Sequence, residues 1–146
     1  MTVSAILNAS QLYHAHLASL GDVDTWVSLF ATDGVLEYPF SESIGYPVRL
    51  IGHDQIRGFV EPFLASVTDF VPVHPRVLLA TDTVVVADHR VKATMVGSGR
   101  SYPQRYLTYL TAEAGKITLL AEYLDNVVAA RALLPDGLAS LHAQVS

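Results

Sequence analysis

Glu122 is the residue of this sequence best suited to acid–base chemistry. It stands in the segment LLAEYL at 119–124, and because side chains of a β-strand alternate between two faces, Leu120, Glu122 and Leu124 share one face. A carboxylate between two leucines on an inward face is costly unless it has a partner or a proton. Burial also disfavours the charged form, which is how enzymes tune a general acid or base. On the pattern alone, a water-facing carboxylate or a structural partner of an arginine is an equally good interpretation.

The segment around Arg90 leaves two alternatives open. On a strand predicted over 84–96, Asp88 and Arg90 share one face and His89 lies on the other. Either Arg90 enters a pocket and pairs with Glu122 or with a substrate oxygen, or His89 lies on the buried face and the charges are solvated. Hydrophobic periodicity does not choose between these alternatives.

Two tyrosines and a set of apolar side chains complete the candidate site. Tyr13 lies on the apolar face of a helix predicted over 4–20, and Tyr38 ends the first predicted strand. A buried phenol finds a hydrogen-bond partner and can donate to a developing oxyanion, although core packing is the more frequent role of a single tyrosine. The apolar wall of a pocket or core is predicted from Trp26, Phe30, Phe59 and Phe63.

Other classes of chemistry lack their sequence signatures. The six histidines form no HExxH motif and the chain has no cysteine, so we expect neither a metal site nor a disulfide. The absence of GxSxG, GxGxxG and P-loop motifs argues against nucleophile-elbow hydrolases and nucleotide cofactors. The net charge of −5, with nine scattered Lys and Arg residues, argues against nucleic-acid binding.

The elements that must position these residues run from helices to strands, which favours an α+β fold. Helices are predicted over 4–20, 53–66 and 126–133, and strands over 35–38, 71–80, 84–96, 100–111 and 116–124. We expect Ser4 to cap the first helix, and Asp22 or Asp24 to cap a short helix after it. We expect Pro62 to kink or split its helix. The short connections between the last four strands predict antiparallel neighbours.

The length and composition predict one domain over residues 1–146, with a tail from about 135. Hydrophobic residues make up 51% of the chain, which is enough for a sizeable core. No apolar run is long enough for a membrane span, and the N-terminus lacks the basic region of a signal peptide. With no cysteine in the chain, we expect a cytoplasmic location.

Four strings stand in a recognisable order along the chain. They are Tyr13 in the first helix, GDVDTWVSLFATDGVLEYPF at 21–40, IGHDQIRGF at 51–59 and AGKITLLAEYLDNVVAARAL at 114–133. Their order resembles that of the SnoaL-like polyketide cyclases and ketosteroid-isomerase-like proteins of the nuclear transport factor 2-like superfamily. The resemblance implies a cone-shaped, strongly curved antiparallel sheet, with N-terminal helices covering an apolar pocket. It also implies a homodimer formed through the sheet.

The resemblance to ketosteroid isomerase implies roles that only partly fit. Tyr13 matches the helix-one tyrosine that donates to the steroid oxygen. Tyr38 stands where that enzyme has its base aspartate, and Leu107 stands near its protonated aspartate. Steroid isomerisation by the same residues is therefore disfavoured.

The last strands are also similar to those of limonene epoxide hydrolase. Arg90 matches the arginine of its Arg-x-Asp segment, in which Lys92 replaces the aspartate, and Glu122 matches its second acid. SnoaL-type cyclases likewise place an acid–base carboxylate on the final strand. These likenesses favour Glu122 as a functional residue and Arg90 over His89 as the pocket residue.

The sequence thus predicts an acid–base enzyme without cofactor or metal, either an isomerase, a cyclase, a dehydratase (lyase) or an epoxide-opening enzyme, that acts on a small hydrophobic secondary metabolite in a buried pocket. Glu122 would move the proton, and Tyr38, Tyr13 or Arg90 would hold the oxyanion. The predicted lining is Trp26, Phe30, Phe59, Phe63, Leu107, Leu120 and Leu124. Two alternatives are a non-catalytic domain that binds small molecules and a partner-binding role through an exposed apolar sheet face.

Overall fold

A computed structural model describes residues 6–141 as a curled sheet packed against helices. The helices are α1 (Ala9–Ala18), α2 (Val23–Ser28), α3 (Gly52–Ala65) and α4 (Asn126–Leu133). The strands are β1 (Phe30–Glu37), β2 (Arg49–Ile51), β3 (Val67–Ala80), β4 (Val84–Met95), β5 (Ser101–Glu113) and β6 (Lys116–Leu124). None of the helices within these residues is long and apolar enough to cross a membrane.

The starts of the first two helices are set by side-chain caps. Asn8 accepts a hydrogen bond from the backbone N–H of Gln11, whose side chain accepts one from the N–H of Asn8, so α1 begins with a capping box. Asp22 caps α2 by accepting from the N–H of Thr25, which settles the choice between Asp22 and Asp24. Ser4, the predicted cap of the first helix, lies outside the described residues. Pro62 does not split α3, which continues through it.

The sheet has the strand order β2-β1-β6-β5-β4-β3. The pairs from β6 to β3 are antiparallel, as the short connections between them predict. β1 and β6 pair in parallel, which differs from the expected antiparallel sheet. The two strands are distant in sequence, so no hairpin fixes their relative direction.

Two of the three irregularities in the pairing of β3 are bulges that curl the sheet around the helices. The pairing of β3 with β4 shifts register between Thr68 and Val71 and again between Val73 and Arg76. Asp69 and His74, which lie inside these shifts, have left-handed backbones with φ of 59° and 54°. Such bulges bend a strand and increase its twist. The predicted α+β cone, with helices covering the inner face of a curved sheet, is confirmed.

Candidate active site

A cavity of about 60 Å³ lies between the helices and the inner face of the sheet. It has room for about four to six water molecules, since one needs roughly 10–15 Å³ when volume is measured in this way. Three polar residues, His16, His89 and Glu122, line it. The other lining side chains are apolar or aromatic, and the aromatic ones are Trp26, Tyr38, Tyr46, Phe59, Phe63, Phe70 and Tyr106.

Glu122 reaches this cavity from the middle of β6. Its side chain is 7% exposed, and its Oε2 accepts a hydrogen bond of 2.8 Å from the hydroxyl of Thr108. Thr108 lies directly opposite Glu122 on β5, so the sheet register makes this contact. The structure places Glu122 on the cavity wall, where its strand position predicts it, and its chemical role stays a prediction.

His16 brings a second element to the carboxylate. Its Nε2 lies 3.2 Å from Oε1 of Glu122, and its Nδ1 accepts a hydrogen bond of 2.7 Å from the indole N–H of Trp26. The 3.2 Å approach is short, but Nε2 has no well-aligned hydrogen-bond partner among the described residues. α1 and α2 thus place an imidazole and an indole in a row that ends at Glu122.

His89 supplies the second imidazole of the cavity. Its ring stacks on that of Tyr106, with centroids 5.2 Å apart, and its Nδ1 lies 3.1 Å from the hydroxyl of Tyr13. Burial lowers the pKa of His89, and His16 adds to this effect, while Glu122 and Asp88 oppose it. Because Tyr13 occupies Nδ1, the Nε2 edge of this ring is the one available to a ligand.

The lowered pKa of His89 makes a prediction about stability. The ordinary pKa of a histidine is 6.5, and below this pH the unfolded chain binds a proton at His89 more readily than the folded protein does. The contribution of neutral His89 to the free energy of unfolding is therefore complete above that pH. It is lost as pH falls through the lower pKa of the folded state. We expect the free energy of unfolding to be smaller at pH about 5.5 than at about 7.5.

The variant His89→Phe is expected to remove this part of the pH dependence while it keeps a ring against Tyr106. Urea unfolding of both proteins at the two pH values measures the difference. An equal loss of stability on acidification in the variant would show that other groups cause it.

Burial keeps the phenols of the cavity protonated. It raises the pKa of Tyr38 and of Tyr106 well above the usual value, and it also raises the pKa of Tyr46. A protonated phenol is a hydrogen-bond donor. The hydroxyl of Tyr106 is engaged with that of Tyr102 at 3.0 Å. Tyr38 lines the cavity as predicted, and its chemical role stays a prediction.

Two of the predicted site residues lie on the other side of the sheet. His89 is buried on the inner face of β4, so its neighbour Arg90 points outward and is exposed beside Arg76 and Arg105. The prediction that Arg90 enters the pocket is wrong, and the alternative with His89 inside is correct. Side chains alternate between the two faces of β5, and both neighbours of Leu107 are buried on the inner face. Leu107 therefore points outward and is 40% exposed. It does not line the cavity.

Two other predicted residues are buried but lie behind the cavity wall. Tyr13 is fully buried, and its hydroxyl contacts His89 and the backbone oxygen of Asp88 instead of the cavity. Phe30 packs edge-on against Trp26, with ring centroids 5.0 Å apart. Both therefore support lining residues and do not line the cavity themselves. The remaining predicted lining residues do line it: Trp26, Phe59, Phe63, Leu120 and Leu124.

Sequence reasoning missed several residues of the site. His16 lies beside Tyr13 on the predicted apolar face of the first helix, and a polar ring on an apolar face is the signal that could have identified it. Thr108 carries no motif, and only its register opposite Glu122 shows its role. Tyr46 comes from the loop before β2, where no periodicity applies. Among residues 6–141, no group of three His, Asp or Glu side chains is arranged to hold a metal ion.

Comparison with known proteins supports the same fold. Residues 11–120 match the model of a family described as "SnoaL-like domain". A candidate isomerase from Bacillus subtilis is 21% identical with a TM-score of 0.75, and the match covers 82% of this chain and 88% of that one. A candidate polyketide cyclase from Pseudomonas putida is 18% identical with a TM-score of 0.69, over 82% and 92% of the two chains.

A third similar structure contains a small molecule. It is that of TerC co-crystallised with polyporic acid, which is 18% identical with a TM-score of 0.69, over 82% of this chain and 93% of that one. At these identities, the likeness to solved structures speaks for the fold alone. No curated protein matches the sequence at a significant level.

Proposed function

The chain belongs to the SnoaL-like domain family, and we propose that it is a cofactor-independent isomerase or cyclase that works by acid–base catalysis. Its substrate is a small hydrophobic molecule bound in the cavity that Glu122 lines. A cytoplasmic location is part of the proposal and rests on the absence of cysteine.

The observation that supports the proposal most is the setting of Glu122. A single carboxylate, buried and held by Thr108, faces a cavity with an aromatic wall. Burying a polar group is costly compared with burying an apolar one of the same size, so a core that only needed packing would favour an apolar residue here. A carboxylate in such a place suits proton transfer with a bound apolar molecule.

In the proposed reaction, Glu122 removes a proton from a carbon next to a carbonyl group of the substrate. The electron pair of the broken C–H bond forms an enolate, whose oxygen accepts hydrogen bonds from the hydroxyl of Tyr38 and from Nε2 of His89. Glu122 then returns the proton to another carbon in an isomerisation. In a cyclisation, the enolate carbon attacks a second carbonyl and the proton goes to the new alkoxide.

The cavity sets the size of the proposed substrate. The four to six water molecules that the cavity can hold take up roughly 120–180 Å³ as liquid water. This suits a compact molecule of one or two rings, whereas a larger polycycle requires side chains of α3 such as Phe59 and Phe63 to move. An epoxide-opening reaction of the arginine–carboxylate type finds no support, because Arg90 lies on the far side of the sheet from Glu122. The epoxide-hydrolase class is therefore not part of the proposal.

The bicyclic ketone β-tetralone is a suitable probe of this function. Trp26 is the sole tryptophan and lines the cavity, so binding is expected to change the intrinsic fluorescence. In D₂O, the protein is expected to exchange the benzylic hydrogens next to the carbonyl for deuterium faster than buffer does, as followed by proton NMR. Binding without faster exchange would favour the alternative of a non-catalytic binding domain. If β-tetralone caused neither a fluorescence change nor faster exchange, a ligand site of this kind would be contradicted.

We also propose that the protein is a homodimer formed through the outer face of the sheet. Large apolar side chains are exposed on β3 and β5, among them Val71, Leu79, Leu107 and Tyr109. An exposed apolar patch of this kind is typical of an interface between proteins. Sedimentation at several concentrations is expected to show a dimer that Leu79→Lys weakens, and a monomer throughout would refute this part of the proposal.

A further inference from the structure

We infer that Trp26 fixes His16 in the tautomer with its proton on Nε2, so that in this pair His16 donates and Glu122 accepts. His16 and Trp26 are then positioning residues, and Glu122 is the proton acceptor. The catalytic role of the His16–Glu122 pair rests on the proposed function, whereas the tautomer of His16 does not depend on it.

The indole of Trp26 decides which nitrogen of His16 can carry the proton. An indole N–H donates hydrogen bonds and accepts none. It lies 2.7 Å from Nδ1 of His16, so Nδ1 must offer its lone pair. A neutral imidazole carries one proton, which leaves that proton on Nε2. His16 and Trp26 are both buried, so bulk water does not compete for this hydrogen bond.

Nε2 of His16 faces the carboxylate of Glu122. It lies 3.2 Å from Oε1 of Glu122, and the two side chains are 5% and 7% exposed. Thr108 donates to the other oxygen at 2.8 Å. Each carboxylate oxygen therefore has one donor beside it, and the lone pairs that remain serve the cavity. The opposite tautomer of His16 would place a lone pair against the carboxylate, which is repulsive.

The Nε2–H of His16 is imperfectly aligned with Glu122. Among the described residues, this buried nitrogen has no well-aligned hydrogen-bond partner, although Glu122 is close. An unsatisfied buried donor costs free energy, so a small rotation that aligns the Nε2–H with Oε1 of Glu122 is favourable. Catalytic hydrogen bonds are often poorly aligned in the free enzyme and tighten when substrate binds.

His89 provides a contrast within the same cavity. Its Nδ1 faces the hydroxyl of Tyr13, which can donate to the ring or accept from it while donating to the backbone oxygen of Asp88. A hydroxyl thus leaves both tautomers open, whereas an indole leaves one. The ring centroids of His16 and His89 are 6.4 Å apart, so the two rings share one environment. The difference in their tautomers therefore comes from the partner at Nδ1.

The test is a long-range ¹H–¹⁵N NMR spectrum of the imidazole rings of the ¹⁵N-labelled full chain, without ligand. We expect His16 in the wild type to show a protonated Nε2 and an unprotonated Nδ1. In Trp26→Phe, which keeps an aromatic ring but lacks the N–H, Nδ1 no longer has to accept a hydrogen bond, and we expect the Nδ1 shift of His16 to move towards that of a protonated nitrogen. The matched control Tyr13→Phe is expected to change the signals of His89 and to leave the tautomer of His16 unchanged.

Two results would overturn the inference: a wild-type His16 with its proton on Nδ1, or an unchanged His16 in Trp26→Phe. The wild-type spectrum decides the tautomer even where Trp26→Phe does not fold. In the exchange assay, Trp26→Phe is expected to lower the rate at saturating β-tetralone by about 10- to 100-fold through misplacement of the carboxylate. A fixed tautomer without any exchange activity would leave the inference standing and refute the proposed function.

Discussion

Glu122→Gln is expected to slow the exchange of deuterium into β-tetralone by about 10²–10⁴-fold, the usual contribution of a positioned acid–base group. Glutamine has nearly the size of glutamate and keeps a carbonyl oxygen that can accept from Thr108 or from His16. It cannot take up a proton from carbon. The cavity therefore keeps its shape in this variant, and the proton transfer is lost.

Glu113→Gln is the matched control, because Glu113 lies at the exposed end of β5, outside the cavity. It is expected to exchange deuterium at the wild-type rate. Binding of β-tetralone, followed by Trp26 fluorescence, is expected to change by only a few-fold in Glu122→Gln. If Glu122→Gln kept most of the wild-type exchange rate above buffer, Glu122 would not be the base.

The second large effect is expected on stability. Leu110 lies on β5 with no exposed surface, in the same core as Leu36 and Leu120 of the cavity wall. Leu110→Ala removes buried methyl groups and leaves a void that the packed neighbours fill only in part. Such substitutions lower the free energy of unfolding by about 2–5 kcal/mol. Urea unfolding monitored by circular dichroism measures this loss.

Leu107→Ala is the matched control on the same strand. Leu107 is 40% exposed on the outer face, so its truncation is expected to cost less than about 1 kcal/mol when both variants are unfolded at a concentration at which sedimentation shows a monomer. The pair also tests the register of β5, since Leu107 and Leu110 lie on opposite faces. Equal losses in the two variants would mean that the inner and outer faces are assigned wrongly.

The alternation of a strand was enough to predict where Glu122 points. The structure gives β6 and α4 the bounds that hydrophobic patterning predicts, 116–124 and 126–133. Leu120, Glu122 and Leu124 all line the cavity. Periodicity succeeds here because one face of β6 packs in the core and a shift of one residue would reverse every side chain.

The same reasoning could not orient β4. Its two faces carry Val84, Val86, Asp88 and Arg90 on one side and Val85, Ala87, His89 and Val91 on the other, so both are apolar at one end of the strand. The resemblance to an epoxide hydrolase then favoured Arg90, which was wrong. Pairing decides the question: β4 and β5 place His89 opposite Tyr106 on the inner face. Local pattern carries no information about such long-range register.

The partners of Glu122 were beyond the sequence for a related reason. His16 and Trp26 are ten residues apart on two helices, and Thr108 is on a third element. Their meeting depends on how α1 and α2 cover the curled sheet, which the bulges in β3 help to set. Residue types alone show only that a histidine lies on an apolar helix face.

A crystal structure of the protein with β-naphthol, a stable mimic of the enol of β-tetralone, would show whether Glu122 faces the reacting carbon. We expect the rings to occupy the cavity, with the hydroxyl within hydrogen-bond distance of Tyr38 or His89 and the adjacent ring carbon facing the carboxylate of Glu122. A ligand bound outside the cavity, or one whose rings lie away from Glu122, would contradict it.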